Sequence, residues 1–468
     1  MIKIFFYISL ILPNFSFTLA SDNLDIDSVT SERISANRAS LPAENSPDAN
    51  PQENLKEWTI MVYINGKSNI EPFAVRDMNR LETAGSSGKI NIVAELGRSK
   101  GLENDTQVDG DWSGTRRYFV SKDSDMNRIS SPALMEFQKA DMGDWRHAAG
   151  FVKWAKENFP AKKYLLIIWD HGWGWIDPEQ PGENLLDDSK ASKRKSISHD
   201  FETGNYIKTA ELSMLFKEAG KIDVYASMAC FMQMAEVAYE IRDYADVIVG
   251  SEEVIQLPSF NFEDFLRLMT EKPQSSPADA AVLLVDTFKE MYSRPEYLDE
   301  LERTKYGTQL SAVKAVMLAE LAGKVKAWAD IAQKINDTNA LGKAKKDVLR
   351  FEVGDETTDP KKEISFYGDL YHFVEITVAN LNPALDGSKE LAALGEDLKQ
   401  FIASALVIKN VYLGKDRTGK TYSNTHGIGI HIPGKPGNLI EYHDTYHKLA
   451  FAKDSGWRKF IKYLEKIE

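Results

Sequence analysis

One cysteine, Cys230, stands in 468 residues. That scarcity excludes an internal disulfide framework and leaves the thiol as either an inert small hydrophobe or a reactive group. Positive charge is also in short supply. Lysine and arginine number 57 against 70 aspartates and glutamates, a net charge of −13, which argues against nucleic acid or an anionic membrane as the main partner. No internal repeat is present. The N-terminal apolar run from Ile4 to Leu12 is too short for a comfortable membrane span. With Lys3 before it and Thr18-Leu19-Ala20 after it, residues 1–20 read as a secretory signal peptide, an uncleaved anchor being the alternative. No cysteine follows directly, which excludes lipid attachment there. The expected location is periplasmic or extracellular, with no stable membrane insertion once the leader is gone.

What is present reads as an α/β protein. The length exceeds one typical core, so two packed units are expected. Residues 21–57 are rich in Ser, Asn, Asp, Pro and Glu and read as a disordered linker or pro-segment. Order is expected from the strand Trp58-Thr-Ile-Met-Val-Tyr-Ile64, followed by a helix over Phe73–Leu81 and a strand over Ile90–Leu96. Strand and helix alternate as far as Val247–Gly250, which predicts a mostly parallel sheet. The later part is more helical. Ser276, Pro277 and Asp279 predict a helix start, and the helix extends through Met291. Helical periodicity returns over Leu310–Ile335 and Leu391–Leu406, and alternating isoleucines predict a late strand over Gly427–Ile432.

Two strand ends carry candidate chemistry. Ile222, Val224, Ala226, Met228 and Cys230 alternate in phase, and helical spacing takes over from Met234. Cys230 is therefore expected at or just before a helix N-terminus, where backbone N–H groups favour thiolate and can hold an oxyanion. The apolar strand from Tyr164 ends in Trp169-Asp170-His171-Gly172-Trp173-Gly174. Parallel strands would bring both ends to one sheet edge, with His171 as base toward the thiol and acid toward the leaving amine. Asp170 adjoins His171 on an extended segment and so points to the opposite face; a Cys–His dyad with a structural Asp170 is expected. A buried, inert Cys230 stands as the bland alternative.

At these residues the chain resembles the clostripain family of cysteine peptidases, of the caspase, legumain and gingipain clan. The resemblance runs through Trp58–Asn65, Trp112-Ser-Gly-Thr-Arg-Arg-Tyr118, Trp169–Trp175, Ala229–Met232, Glu236–Tyr239, Gly250–Glu253, Leu310-Ser-Ala312, Asp369-Leu-Tyr371 and Gly427–Pro433. The separation of His171 from Cys230 is close to the roughly 50 residues of caspases. The resemblance implies a caspase-like α/β/α sandwich around a mostly parallel sheet. The catalytic domain would span 58–300, and a helical or mixed C-terminal subdomain, 301–468, would contribute late strands. It implies an endopeptidase of peptides or proteins acting through a thioester, with Cys230 as nucleophile, His171 as base and the backbone of Gly172 and Cys230 as oxyanion hole. Family members typically cleave after arginine or lysine, and some cut themselves between the histidine and cysteine segments. Here the basic cluster Lys190–Lys195 occupies that region, as a processing site or as a solvated loop.

One departure concerns specificity. The family usually has an aspartate two residues before the cysteine, and this chain has Met228. An extended strand would place Met228 on the nucleophile's face, where a thioether cannot pair with a cation. Either Glu252 and Glu253 supply the missing charge or the pocket prefers a neutral residue, and the second is favoured. Met228 also feeds a second reading, a caspase-like binding protein without turnover. A zinc hydrolase built on His443-Asp-Thr-Tyr-His447 lacks both the glutamate base and a third ligand. His426 and His431 face oppositely on a strand pattern. No cofactor is implied. Neither a calcium requirement, for which Glu103, Asp105, Asp109 and Asp111 form the acidic group, nor an oligomeric state is legible.

Overall fold

The computed structural model describes residues 55–102, 104–176, 197–351, 367–416, 419–434 and 443–467. The expected leader, nearly all of the 21–57 segment, Glu103 and the Lys190–Lys195 cluster lie outside them. Order begins a little before Trp58, in β1 (Lys56–Gly66), which is buried along almost its whole length. A strand covered on both faces needs such a continuous apolar run. β1 pairs in parallel with β2 (Ile90–Arg98) on one side and β5 (Ala161–Trp169) on the other. The parallel centre continues from β5 to β8 (Val224–Met228) and from β8 to β9 (Val247–Gly250). Antiparallel strands extend it at both ends. β3 (Gly114–Phe119) and β4 (Ala133–Phe137) lie beyond β2, and β10 (Thr308–Lys314) and β12 (Val407–Leu413) lie beyond β9, completing a nine-stranded sheet.

Side chains of β1 divide between two cores. Ile60, Val62 and Ile64 join one apolar cluster, and Met61 and Tyr63 join the other, as the two-residue period of a strand requires. Helices Glu71–Ala84, Phe262–Glu271 and Pro277–Tyr292 cover the first face. Helices Trp145–Asn158, Thr209–Ala219, Ala235–Ile241, Leu318–Ile335 and Trp457–Leu464 cover the second. This is the mostly parallel α/β/α sandwich expected from the sequence. Helix Pro277–Tyr292 starts where predicted. The Ser276 hydroxyl accepts from Asp279 N, and the Asp279 carboxylate accepts from Ser276 N, a reciprocal capping box.

One expectation is corrected. The stretch read as one helical period from Leu310 is a strand, β10, followed after a short 3₁₀ turn at Ala315–Met317 by the helix Leu318–Ile335. So little separates the two periods that they merge in the sequence. The late alternation around Gly427–Ile432 does contain a strand, which lies outside the main sheet. β13 (Gly429–His431) pairs antiparallel with β11 (Tyr367–Asp369) in a separate ladder. The C-terminal part reaches the main sheet through β10 and β12 instead. A short antiparallel pair, β6 (Ile197–Asp200) and β7 (Asn205–Ile207), completes the set. Among the described residues no helix is long and apolar enough to cross a membrane.

The strand order positions the site. The chain passes from β1 to β2 on one side and later returns to β5 on the other. The connections therefore diverge between β1 and β5, and open α/β sheets bind ligands outside the carboxyl ends of their strands at such a switch point.

Candidate active site

Three turns leave the carboxyl ends of β1, β5 and β8. In the β5–β8 ladder Trp169 is in register with Met228. His171 and Cys230 each lie two residues beyond that pair, past the ends of strands that neighbouring spacing sets about 4.8 Å apart. Their turns touch. A Cβ added to Gly172 would stand 2.6 Å from Cys230 O, 3.0 Å from Cys230 N and 2.8 Å from Ala229 Cβ. Only glycine permits that approach, so the residue after the histidine is fixed by the cysteine turn. Gly172 also bridges to Ile197 of β6.

Cys230 is half-buried and packs against the second core. It does not adjoin a helix start: the helix begins at Ala235, with Met234 as its N-cap. The intervening residues are committed elsewhere. Phe231 N donates to Glu253 O at 3.2 Å, Gln233 N donates to Ser251 O at 3.0 Å, and Met234 bridges to Gly429. Phe231 has φ +59°, a left-handed conformation that a bulky residue adopts at a cost of about 1–3 kcal/mol. The chain thus makes a strained turn around Cys230 before it coils. The helix-dipole argument for thiolate does not hold here.

Asp170 is buried. It accepts from His199 N and, at 3.4 Å, from the Ser68 hydroxyl, tying the histidine turn to its neighbours. His171 Nε2 lies 2.7 Å from Asn69 Oδ1, and its ring stacks near-parallel to Phe201 at 6.3 Å. Asn69, in the turn after β1, was not anticipated; the signal for it is positional, an amide just beyond a strand at the topological switch. Aromatic groups build the adjoining wall. Trp173 meets Phe231 edge-on at 5.1 Å, Tyr367 lies 5.7 Å from Phe231, and the Tyr367 hydroxyl donates to Trp173 O at 2.7 Å. Gly174 (φ +63°) makes room, since a Cβ there would stand 2.6 Å from the Tyr367 oxygen.

The candidate specificity residues are placed differently. Met228 is 3 % exposed and packs in the first core with Trp169 and Ala226, whereas Cys230 packs against the second. The expected shared face is lost because β8 ends at Met228 and the chain turns. Glu252 is 0 % exposed and Glu253 1 %. Glu252 accepts from Gly427 N at 3.1 Å and faces Asp369. Burial, and then the Asp369 charge, push its carboxyl well above the usual range. Glu253 accepts from the Tyr422 hydroxyl and from Val254 N. Asp369 caps helix Leu370–Ala379 through His372 N and accepts from His426 N and Nδ1. Although burial opposes it, the Asp369 hydrogen bond and charge raise the His426 pKa.

The remaining candidates have structural surroundings. His431 is buried against Trp175 and Tyr446. Glu236 beside it accepts from His431 N at 3.0 Å and the Tyr446 hydroxyl at 2.8 Å, and burial raises its carboxyl to about 7. Side-chain placement of His443 and Asp444 lies outside the described residues. Asp105 accepts from Gly101 N, Asp109 from Ile129 N and the Trp112 indole, and Asp111 pairs with Lys100. Among the described residues no group of three His, Cys, Asp or Glu is placed to hold a metal ion.

With the geometry in hand, comparison with known proteins gives concordant results. The sequence matches the Clostripain family over residues 62–464. Clostripain of Hathewaya histolytica is 30% identical over 231 residues, covering 46% of this chain and 42% of that protein; the chain spans less than half the length of that curated relative. A secreted C11 cysteine protease from Bacteroides thetaiotaomicron, solved with an irreversible peptide inhibitor, superposes with TM-score 0.60 at 18% identity, over 86% of this chain and 99% of that one. An inactive zymogen C11 protease from Parabacteroides distasonis gives TM-score 0.59 at 15% identity, over 86% and 98%. At those identities the two structures establish likeness of fold.

Proposed function

Because the chain belongs to the clostripain family, we propose that it is an exported cysteine endopeptidase acting through a Cys230–His171 dyad. The observation that carries the reading is the contact between the two turns, each two residues beyond the register pair Trp169–Met228. In the proposed reaction the Cys230 thiol gives its proton to the His171 imidazole, and sulfur attacks the peptide carbonyl carbon. The carbonyl π pair moves to oxygen, which the Gly172 and Cys230 amides hold. Collapse breaks the C–N bond as the imidazolium returns its proton to the leaving nitrogen, leaving a thioester. Water, deprotonated by His171, attacks that thioester; C–S cleavage releases the acid, and the proton returns to sulfur.

For the residue preceding the scissile bond the proposed preference is neutral. Met228 carries no charge, and burial of Glu252 and Glu253 against Asp369 and Tyr422 argues against either as a counter-charge for lysine or arginine. A fluorogenic peptide library varied at that residue, with Cys230→Ala as control, tests both parts. Cys230-dependent cleavage after neutral residues is expected. Cleavage confined to Arg or Lys would overturn the specificity, and cleavage independent of Cys230 would overturn the mechanism. Export rests on the residue 1–20 leader pattern, and N-terminal sequencing of the mature chain should begin at Ser21. Cleavage within Lys190–Lys195 is a separate proposal, refuted by an active chain of intact mass.

A further inference from the structure

We propose that Asn69 is a positioning residue for His171, fixing which ring nitrogen serves as the base; this rests on the peptidase reading above. The Asn69 amide oxygen stands 2.7 Å from His171 Nε2. An amide oxygen only accepts, so the hydrogen lies on Nε2, and in the neutral ring Nδ1 keeps the lone pair that takes the thiol proton. A neutral acceptor also steadies the imidazolium formed during attack without the large pKa rise that a carboxylate would bring.

The turn that presents Asn69 is held more firmly than an exposed turn requires. Lys67, 1 % exposed, donates to Ala140 O at 2.5 Å and pairs with Glu202 at 2.9 Å and Asp200 at 3.5 Å. Lys67 N donates to Asn65 Oδ1 at 3.1 Å, and Asn65 Nδ2 donates to the Ser198 hydroxyl at 3.2 Å. Phe201 N donates to Lys67 O at 2.8 Å, and the Phe201 ring lies against His171. Ser68 donates to Asp170, the residue before the histidine. The buried residues that precede Asn69 are thus tied to the groups that hold His171, while Asn69 itself is exposed and directs its oxygen at the ring. Its place after β1, across the switch point from β5, is where a third group can reach a dyad drawn from β5 and β8.

The test has two readouts. In ¹⁵N-histidine NMR of the Cys230→Ala protein, which needs no turnover, His171 should populate the Nε2–H tautomer, and adding Asn69→Ala should mix the tautomers. In kinetics, Asn69→Ala should lower kcat roughly 10- to 100-fold with KM little changed, the scale for a misplaced catalytic group. Asn69→Asp keeps an acceptor, so it should recover most of the loss and move the acidic limb of the kcat/KM profile to higher pH. Unchanged tautomer, kcat and pH profile in Asn69→Ala, with Cys230→Ala inactive, would overturn the inference alone. Equal losses in both variants accompanied by a lowered melting temperature would also overturn it, as a purely structural turn. Full activity in Cys230→Ala would overturn the peptidase reading with it.

Discussion

Two groups of polar residues share the carboxyl edge of the sheet and are treated in opposite ways. Beyond β1, β5 and β8, Asn69 is exposed and His171 and Cys230 are half-buried. One strand over, Glu252 and Glu253 beyond β9 and Asp369 at the end of β11 are sealed, and their oxygens accept hydrogen bonds from Gly427, Tyr422, Val254, His372 and His426. The contrast teaches that charge near a site is not charge available to a substrate. A buried acid committed to backbone and hydroxyl donors holds the frame, because breaking those bonds leaves desolvated groups without partners. A half-buried group on a constrained turn can still meet a ligand.

Variants should separate the two groups. The largest effect belongs to the open side. His171→Ala should lower turnover at least roughly 1000-fold, measured with the peptide best cleaved by the wild type, with little change in melting temperature. A comparable loss of stability would break the distinction.

Sealed acids should instead appear in stability against pH. Glu236, in the first turn of the helix that follows the cysteine turn, binds its proton more tightly folded (about 7) than unfolded (4.5). Its contribution is therefore fully present below pH 4.5 and is lost as pH rises through about 7, on the order of 3 kcal/mol. Urea midpoints measured at pH 4.5 and pH 8 should fall for the wild type, and Glu236→Gln should flatten that slope. An equal slope in the variant would contradict the assignment. Tyr422→Phe removes the hydroxyl donor to buried Glu253 and should cost about 1–3 kcal/mol. Smallest is Ser276→Ala, far along the chain, which opens one capping box for about 1 kcal/mol with unchanged kcat/KM.

How much of this was legible follows the range of the information. Val247–Gly250 and the Ser276 helix start are local patterns, and both elements occur where read. The strand ends near His171 and Cys230 were also local. The turn at Phe231 was not, because it is set by Glu253, Ser251 and Gly429. Cys230 leaves the face of Met228 for that reason. The sealing of Glu252 and Glu253 depends on Asp369, Tyr422 and Gly427, more than a hundred residues later. Asn69 required knowing that β1 and β5 are neighbours on either side of the switch point. The segment after Leu310 misled because strand and helix periods abut there.

The single thiol makes the central claim directly measurable, since any covalent label on a cysteine is on Cys230. The measurement is the rate of labelling by a peptidyl acyloxymethyl ketone, read by intact mass, in wild type and His171→Ala, with iodoacetamide as the untargeted reference. A Cys–His peptidase site predicts saturable labelling in the wild type that collapses in His171→Ala. Labelling that is linear in probe concentration and indifferent to His171 would contradict it and favour the binding protein or the inert thiol.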